Sequence, residues 1–136
     1  MGQGFIDYSP SKVKKKLEQY MAKNELKAVL IQTDSVISLK IDDPRGKPAT
    51  FQFHFLEQKC VEEIKIACDT CVINYLNGIL QDKSMGWKNM NQNTWVSKFS
   101  KHRMMFVESN GTTYSLRIRK TNWDKKTYNG VIASLD

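Results

Sequence analysis

From Arg103 to Lys120 hydrophobic and polar positions alternate with a period of two on either side of Asn110-Gly111. That dipeptide is a strong local signal for a two-residue hairpin turn, because both central residues of such a turn must accept positive φ. A two-residue turn sets Ser109 opposite Thr112, Val107 opposite Tyr114 and Phe106 opposite Ser115. One face of the predicted ribbon then carries Met105, Val107, Tyr114, Leu116 and Ile118. The other carries Met104, Phe106, Ser115, Arg117 and Arg119.

Upstream the pattern changes period more than once. Ser9-Pro10 reads as a helix cap followed by proline in the first turn. Val13, Leu17, Tyr20 and Met21 then recur on one helical face, and Asn24 is a natural stop. Ala28–Ile31 and Val36–Ile41 are rich in β-branched residues and predict strands around a turn at Gln32–Ser35. Asp42–Pro48 is a loop by its proline and glycine content. Thr50–Phe55 is the cleanest strand, with Phe51, Phe53 and Phe55 on one side and Gln52 and His54 on the other. Leu56 to Leu80 carries Leu56, Cys60, Ile64, Ala67, Cys68, Cys71, Tyr75 and Ile79 at helical spacing, opposite Gln58, Glu62, Lys65 and Asp69, and predicts one long helix. A strand is expected at about Thr94–Phe99, and a second hairpin at Asn129-Gly130.

These elements predict an α+β fold in a single domain over residues 1–136. Its antiparallel sheet packs on one long central helix, in the order α-β-β-β-α-β-β-β. The face away from the helix would present Ser38, Lys40, Gln52, His54, Phe106, Ser115, Arg117 and Arg119.

Charge sharpens the functional expectation. Of 136 residues, 26% are charged and 40% apolar, as in a globular chain, and the net charge is +7. An excess of that sign favours acidic partners. The cations cluster at Lys12, Lys14, Lys15 and Lys16, and again at Lys98, Lys101, Arg103, Arg117, Arg119, Lys120, Lys125 and Lys126; Glu57–Lys83 is slightly acidic. No apolar run approaches the ~18 residues that span a bilayer. The start lacks the features of a signal peptide, and Met1-Gly2 fails the myristoylation rule because position 6 is Ile6. Three cysteines, an odd count, predict reduced thiols and an intracellular (cytoplasmic or nuclear) protein.

The chain offers little for catalysis. Cys68-Asp-Thr-Cys71 has the CxxC spacing, but a reactive pair belongs at the start of a helix after a strand, whereas the pattern places this one in mid-helix among core cysteines. His54 and His102 have no spacing that brings them together. Asp42, Asp43 and Glu63-Ile-Lys65 only loosely match a metal-dependent nuclease pattern, which needs its Glu-x-Lys on a strand. Nucleotide-binding and hydrolase motifs are absent. The expectation is therefore no catalytic residue, no metal and no cofactor.

The basic hairpin remains. The sequence predicts a non-enzymatic protein that binds DNA or RNA, or associates with it. Arg117, Arg119, Lys120, Lys125 and Lys126 would contact phosphates, and Phe106 or Trp123 would stack on bases. Lys14, Lys15 and Lys16 would extend the footprint if the first helix flanks the sheet. The alternative is a protein–protein interaction module: an adaptor, a chaperone-like protein or an inhibitor of a larger, acidic-surfaced partner. It would use Met104, Phe106 and an exposed strand edge.

Overall fold

Helix α1 (Pro10–Asn24) starts where its cap residue sits: Ser9 is extended, and its Oγ accepts the Lys12 N–H at 3.3 Å. The structure is a computed structural model that describes residues 4–100 and 102–135; the Met1-Gly2 start and Lys101 of the basic cluster lie outside the described residues. Val13 and Leu17 are fully buried, and the helix ends at Glu25 in the left-handed conformation. Strands β1 (Ala28–Gln32), β2 (Val36–Ile41) and β3 (Ala49–Leu56) follow where β-branched and aromatic alternation predicts them.

The long central helix does not form. Glu57 and Gln58 both take positive φ, 52° and 63°, and make a two-residue turn that sets Leu56 opposite Lys59. Strand β4 (Lys59–Ala67) then runs back along β3. The helical reading failed for a specific reason. The β3–β4 register shifts between His54 and Phe55, so that His54 faces Glu62 while Phe55 faces Cys60. This β-bulge brings Cys60 and Glu63 to the same face, a spacing of three inside a period-two strand, which imitates a helix in the sequence. Only α2 (Asp69–Gln81) is helical.

The second half continues with β5 (Trp87–Asn91), β6 (Thr94–Ser97), β7 (Arg103–Ser109) and β8 (Tyr114–Lys120). The β7–β8 hairpin forms, but Asn110–Thr113 makes the connection and Ser109 faces Tyr114. Asn110 Oδ1 accepts the Thr113 N–H at 2.9 Å, and Gly111 takes φ 101°. The slip from the expected register is two residues, an even number, so both predicted faces survive it. The expected hairpin at Asn129-Gly130 is instead helix α3 (Lys125–Leu135). Tyr128, Val131, Ile132 and Leu135 have the i, i+3, i+4, i+7 spacing of a helical stripe, and Asp124 Oδ1 accepts the Thr127 N–H at 2.7 Å as a cap.

All eight strands form one antiparallel sheet in the order β1-β2-β3-β4-β8-β7-β6-β5. Two four-stranded meanders, each followed by a helix, meet at β4 and β8. The observed order is α-β-β-β-β-α-β-β-β-β-α, in place of the shorter one predicted. The main core lies on the sheet face of Ile37, Leu39, Phe51, Phe53, Leu116 and Ile118, closed by Val13 and Leu17 of α1 and Val72 and Ile79 of α2. No helix among the described residues is long and apolar enough to cross a membrane.

One carboxylate is sealed into this core. Glu63 faces Phe53 and Ile118 across the sheet and is 6% exposed. Its Oε1 accepts the Phe5 N–H at 3.1 Å, while Oε2 has no hydrogen-bond partner. Burial pushes its pKa up to about 7, only partly opposed by the Phe5 N–H and the Arg103 charge. The folded protein therefore holds this proton more tightly than the unfolded chain. The associated stability is complete below the unfolded pKa and is lost as pH rises through about 7. Glu63→Gln keeps an oxygen for Phe5 and removes the ionisation. Its unfolding free energy from urea titration should exceed that of the parent at pH 8 by about 2–3 kcal/mol, with little difference at pH 4.5. A second variant tests the turn. Glu57→Asn with Gln58→Gly places the residues that tolerate positive φ where the backbone requires them, and should stabilise by ~1 kcal/mol in the same assay.

Candidate functional site

The site is built on the sheet face turned away from α1 and α2. Antiparallel register aligns His54, Glu62, Arg119 and Met104 in one row across β3, β4, β8 and β7. The next row holds Gln52, Ile64, Arg117 and Phe106. Strand alternation thus brings the two arginines to the face expected of them.

What the alternation did not reveal is their partner. Glu62, on a segment read as helix, stands between them. Arg119 Nε donates to Glu62 Oε2 at 2.7 Å, and Arg117 Nη1 donates to Oε1 at 3.3 Å. Arg117 Nε reaches Glu108 only at 3.7 Å, too long for a hydrogen bond. The Arg119 guanidinium also lies 5.1 Å from the centroid of Phe106, a cation–π contact that occupies the ring intended for base stacking. Lys120 is held as well: its Nζ donates to Asp7 Oδ1 at 2.7 Å, and Arg103 adds an ion pair to the same carboxylate at 3.6 Å. The Lys120 hydrogen bond, ahead of other influences, holds Asp7 below the usual carboxylate range. Asp7 is in turn fixed by its own N–H, which donates to the Cys60 carbonyl at 2.8 Å.

Beside this cluster a groove of about 800 Å³ opens at the end of the sheet, walled by His54, Lys59, Glu62, His102, Arg119 and Lys120. It brings together the two histidines that sequence spacing left apart. His54 Nε2 lies 3.4 Å from Gln52 Oε1, and His102 Nδ1 lies 3.4 Å from the Thr121 carbonyl. Lys59, Arg119 and Lys120 supply the positive charge of the groove; Glu57 and Glu62 offset part of it.

The remaining predicted contacts are dispersed. Lys14, Lys15 and Lys16 are exposed on α1, whose buried face packs on the opposite side of the sheet from Arg117 and Arg119, so they do not continue that surface. Lys125 and Lys126 are exposed at the start of α3, and Trp123 is half-buried. Asp43 serves the fold. Its carboxylate takes Nε and Nη2 of Arg45 at 2.8 and 2.7 Å and the Lys27 N–H at 3.0 Å, while Arg45 also donates to the Asn24 and Glu25 carbonyls that end α1. The Arg45 hydrogen bond keeps Asp43 far below the usual carboxylate range. No group of three or more metal-ligating side chains is gathered among the described residues.

Of the three cysteines, Cys60 is the reduced core residue expected, and Cys68 and Cys71 are not. Cys60 is buried on β4, where burial, with the nearby Glu63 charge, pushes its thiol up to about 12. Cys68 and Cys71 are disulfide-bonded, not reduced, and they lie at the start of α2, not in mid-helix.

Fold and site define an α+β protein with one continuous antiparallel sheet, helices over its core face, and a charged groove on the other. The chain matches no protein-family model, no curated protein and no solved structure.

The shared carboxylate has a measurable consequence. Glu62→Gln removes the charge from both guanidinium contacts and should destabilise the fold by ~1 kcal/mol, a modest value because Arg119 is half-exposed. In a urea-denaturation cycle, Glu62→Gln combined with Arg119→Ala should cost less than the two single changes added together.

Proposed function

We propose that this is a non-enzymatic nucleic-acid-binding protein whose phosphate contacts come from the groove at the end of the open sheet face. The observation that carries the reading is the clustering of Lys59, Arg119 and Lys120 along one wall-to-wall opening, with Arg117 adjacent in the next row. Glu62 and Asp7 then act as internal stand-ins for phosphate. They hold the cationic side chains in place, and an incoming polyanion competes with them for the same donors. Lys125 and Lys126 follow β8 in the chain, exposed at the start of α3, and are not among the residues that line the groove. Phe106 is available for stacking only when Arg119 swings off its face. Lys14, Lys15 and Lys16 drop out of this footprint because α1 covers the other side.

A second reading has its own support. Strand β1 is one of the two edge strands of the sheet, β5 being the other, and its Val29 and Ile31 are 59% and 46% exposed. An interaction module would add a partner strand there. The β7–β8 hairpin does not offer such an edge, since β7 is paired on both sides.

Salt dependence separates the two. Fluorescence anisotropy with single- and double-stranded oligonucleotides should give an affinity that falls linearly in log salt. Lys59→Glu with Arg119→Glu should weaken binding at least tenfold, and Glu62→Gln should strengthen it by freeing both guanidinium groups. Absence of binding at low salt, or tighter binding in the charge-reversed variant, overturns the proposal in favour of the β1 edge.

A further inference from the structure

The CxxC pair stands where a strand hands over to a helix. β4 ends at Ala67, Cys68 is the N-cap of α2, and Cys71 closes the first turn. The Cys68 Sγ accepts the Cys71 N–H at 3.1 Å and lies 3.4 Å from Thr70 Oγ1. Both cysteines are partly exposed, in contrast to the fully buried Cys60.

We propose that Cys68 and Cys71 are a redox-active pair that exchanges with low-molecular-weight thiols and disulfides, and that Cys68 is the attacking sulfur. The inference does not depend on nucleic-acid binding. Geometry assigns the roles. A thiolate at the N-cap keeps the Cys71 N–H as a donor and sits at the positive end of the helix dipole, so the charged, nucleophilic form of Cys68 is the favoured one. Asp69 is the adjacent opposing charge, and its Oδ1 is engaged by the Thr70 N–H at 2.7 Å.

Two further features suit exchange better than stapling. The bridge spans a sequence separation of only 3, so it removes little freedom from the unfolded chain and is a poor structural crosslink. Its flanks are anchored: Ala67 is 4% exposed and Val72 is fully buried. The two sulfurs therefore stay within reach of one another after reduction, and reclosure is intramolecular.

The chemistry balances without any bound group. In oxidation the Cys68 thiolate attacks a small disulfide, RSSR, forms a mixed disulfide and expels RS⁻. The Cys71 thiolate then attacks the Cys68 sulfur, closes the bridge and expels the second RS⁻; both leaving thiolates take up protons from solvent. Reduction is the reverse, consuming two RSH and releasing RSSR.

The test uses the whole protein and glutathione as the probe. The wild-type chain is reduced, freed of reductant, and equilibrated in glutathione buffers of graded redox ratio. It is then quenched and labelled with a maleimide-polyethylene glycol that shifts the gel band once per thiol. Two thiols should disappear together as the buffer becomes oxidising, with Cys60 unlabelled throughout unless the protein is denatured. By peptide mass spectrometry Cys71→Ser should accumulate glutathione on Cys68. Cys68→Ser, which retains a capping oxygen, should accumulate at least tenfold less on Cys71 in the same time. Two thiols that persist in oxidised glutathione, or equal adducts in the two single variants, overturn the proposal; the wild-type measurement decides even where a variant fails to fold.

Discussion

The backbone ladder between β4 and β8 is the constraint on which the molecule depends. It runs from Glu62 opposite Arg119 to Ala67 opposite Tyr114, and it is the junction of two meanders that are otherwise separate in the chain. Without it each four-stranded half would end in a long unpaired edge strand, and the core face would be split between Phe51 and Phe53 on one side and Leu116 and Ile118 on the other. Every feature of chemical interest hangs from β4. Its start receives the N-terminal segment through hydrogen bonds between Cys60 and both Asp7 and Tyr8, its middle supplies Glu62 and Glu63, and its end delivers Cys68 to α2.

Glu62 and Glu63 show what strand alternation does with identical chemistry. Neighbours in sequence, they point to opposite faces. On the open face Glu62 gains two guanidinium partners; in the core Glu63 gains one backbone N–H and mainly apolar neighbours, with the Arg103 charge as the only other influence that favours its ionised form. The first arrangement neutralises charge and orders a surface. The second makes a carboxyl group whose ionisation opposes folding, because desolvation outweighs a single hydrogen bond. The same geometry limits the meaning of the net charge of +7. The sheet is a partition, and the lysines of α1 and the arginines of β8 lie on opposite sides of it. Basic residues that a sequence shows as clusters do not sum to one basic surface.

Much of the fold was legible in the chain. Ser9-Pro10 as a helix start, the phenylalanine face of β3, and both faces of the β7–β8 ribbon follow from capping chemistry and period-two alternation, which are local. The ribbon shows how robust that is, since a two-residue slip left every side chain on its predicted face. Two elements depart from their local pattern, each for its own reason. β4 carries a helix-like pattern because a bulge inserts a spacing of three, and because Ile64, buried on the nominally open face, completes a false helical stripe. α3 was read as a hairpin because Asn129-Gly130 outweighed a genuine i, i+3, i+4, i+7 pattern. Misplacing β4 also hid Glu62 from the arginines and moved the CxxC from a helix start to a helix middle.

By itself, then, the sequence determined the class of fold, the extent of most strands and, on those strands, which side chains share a face, since these depend on neighbours within a few residues. Tertiary structure decided which faces meet. The pairing of β4 with β8 set a carboxylate between two guanidinium groups, the open end of the sheet gathered His54 and His102 into one groove, and the strand-to-helix junction set Cys68 at a helix cap. Each of these joins residues that are distant in the chain or depends on where a neighbouring element ends. That information resides in long-range hydrogen bonding and close packing, to which hydrophobic periodicity carries no pointer.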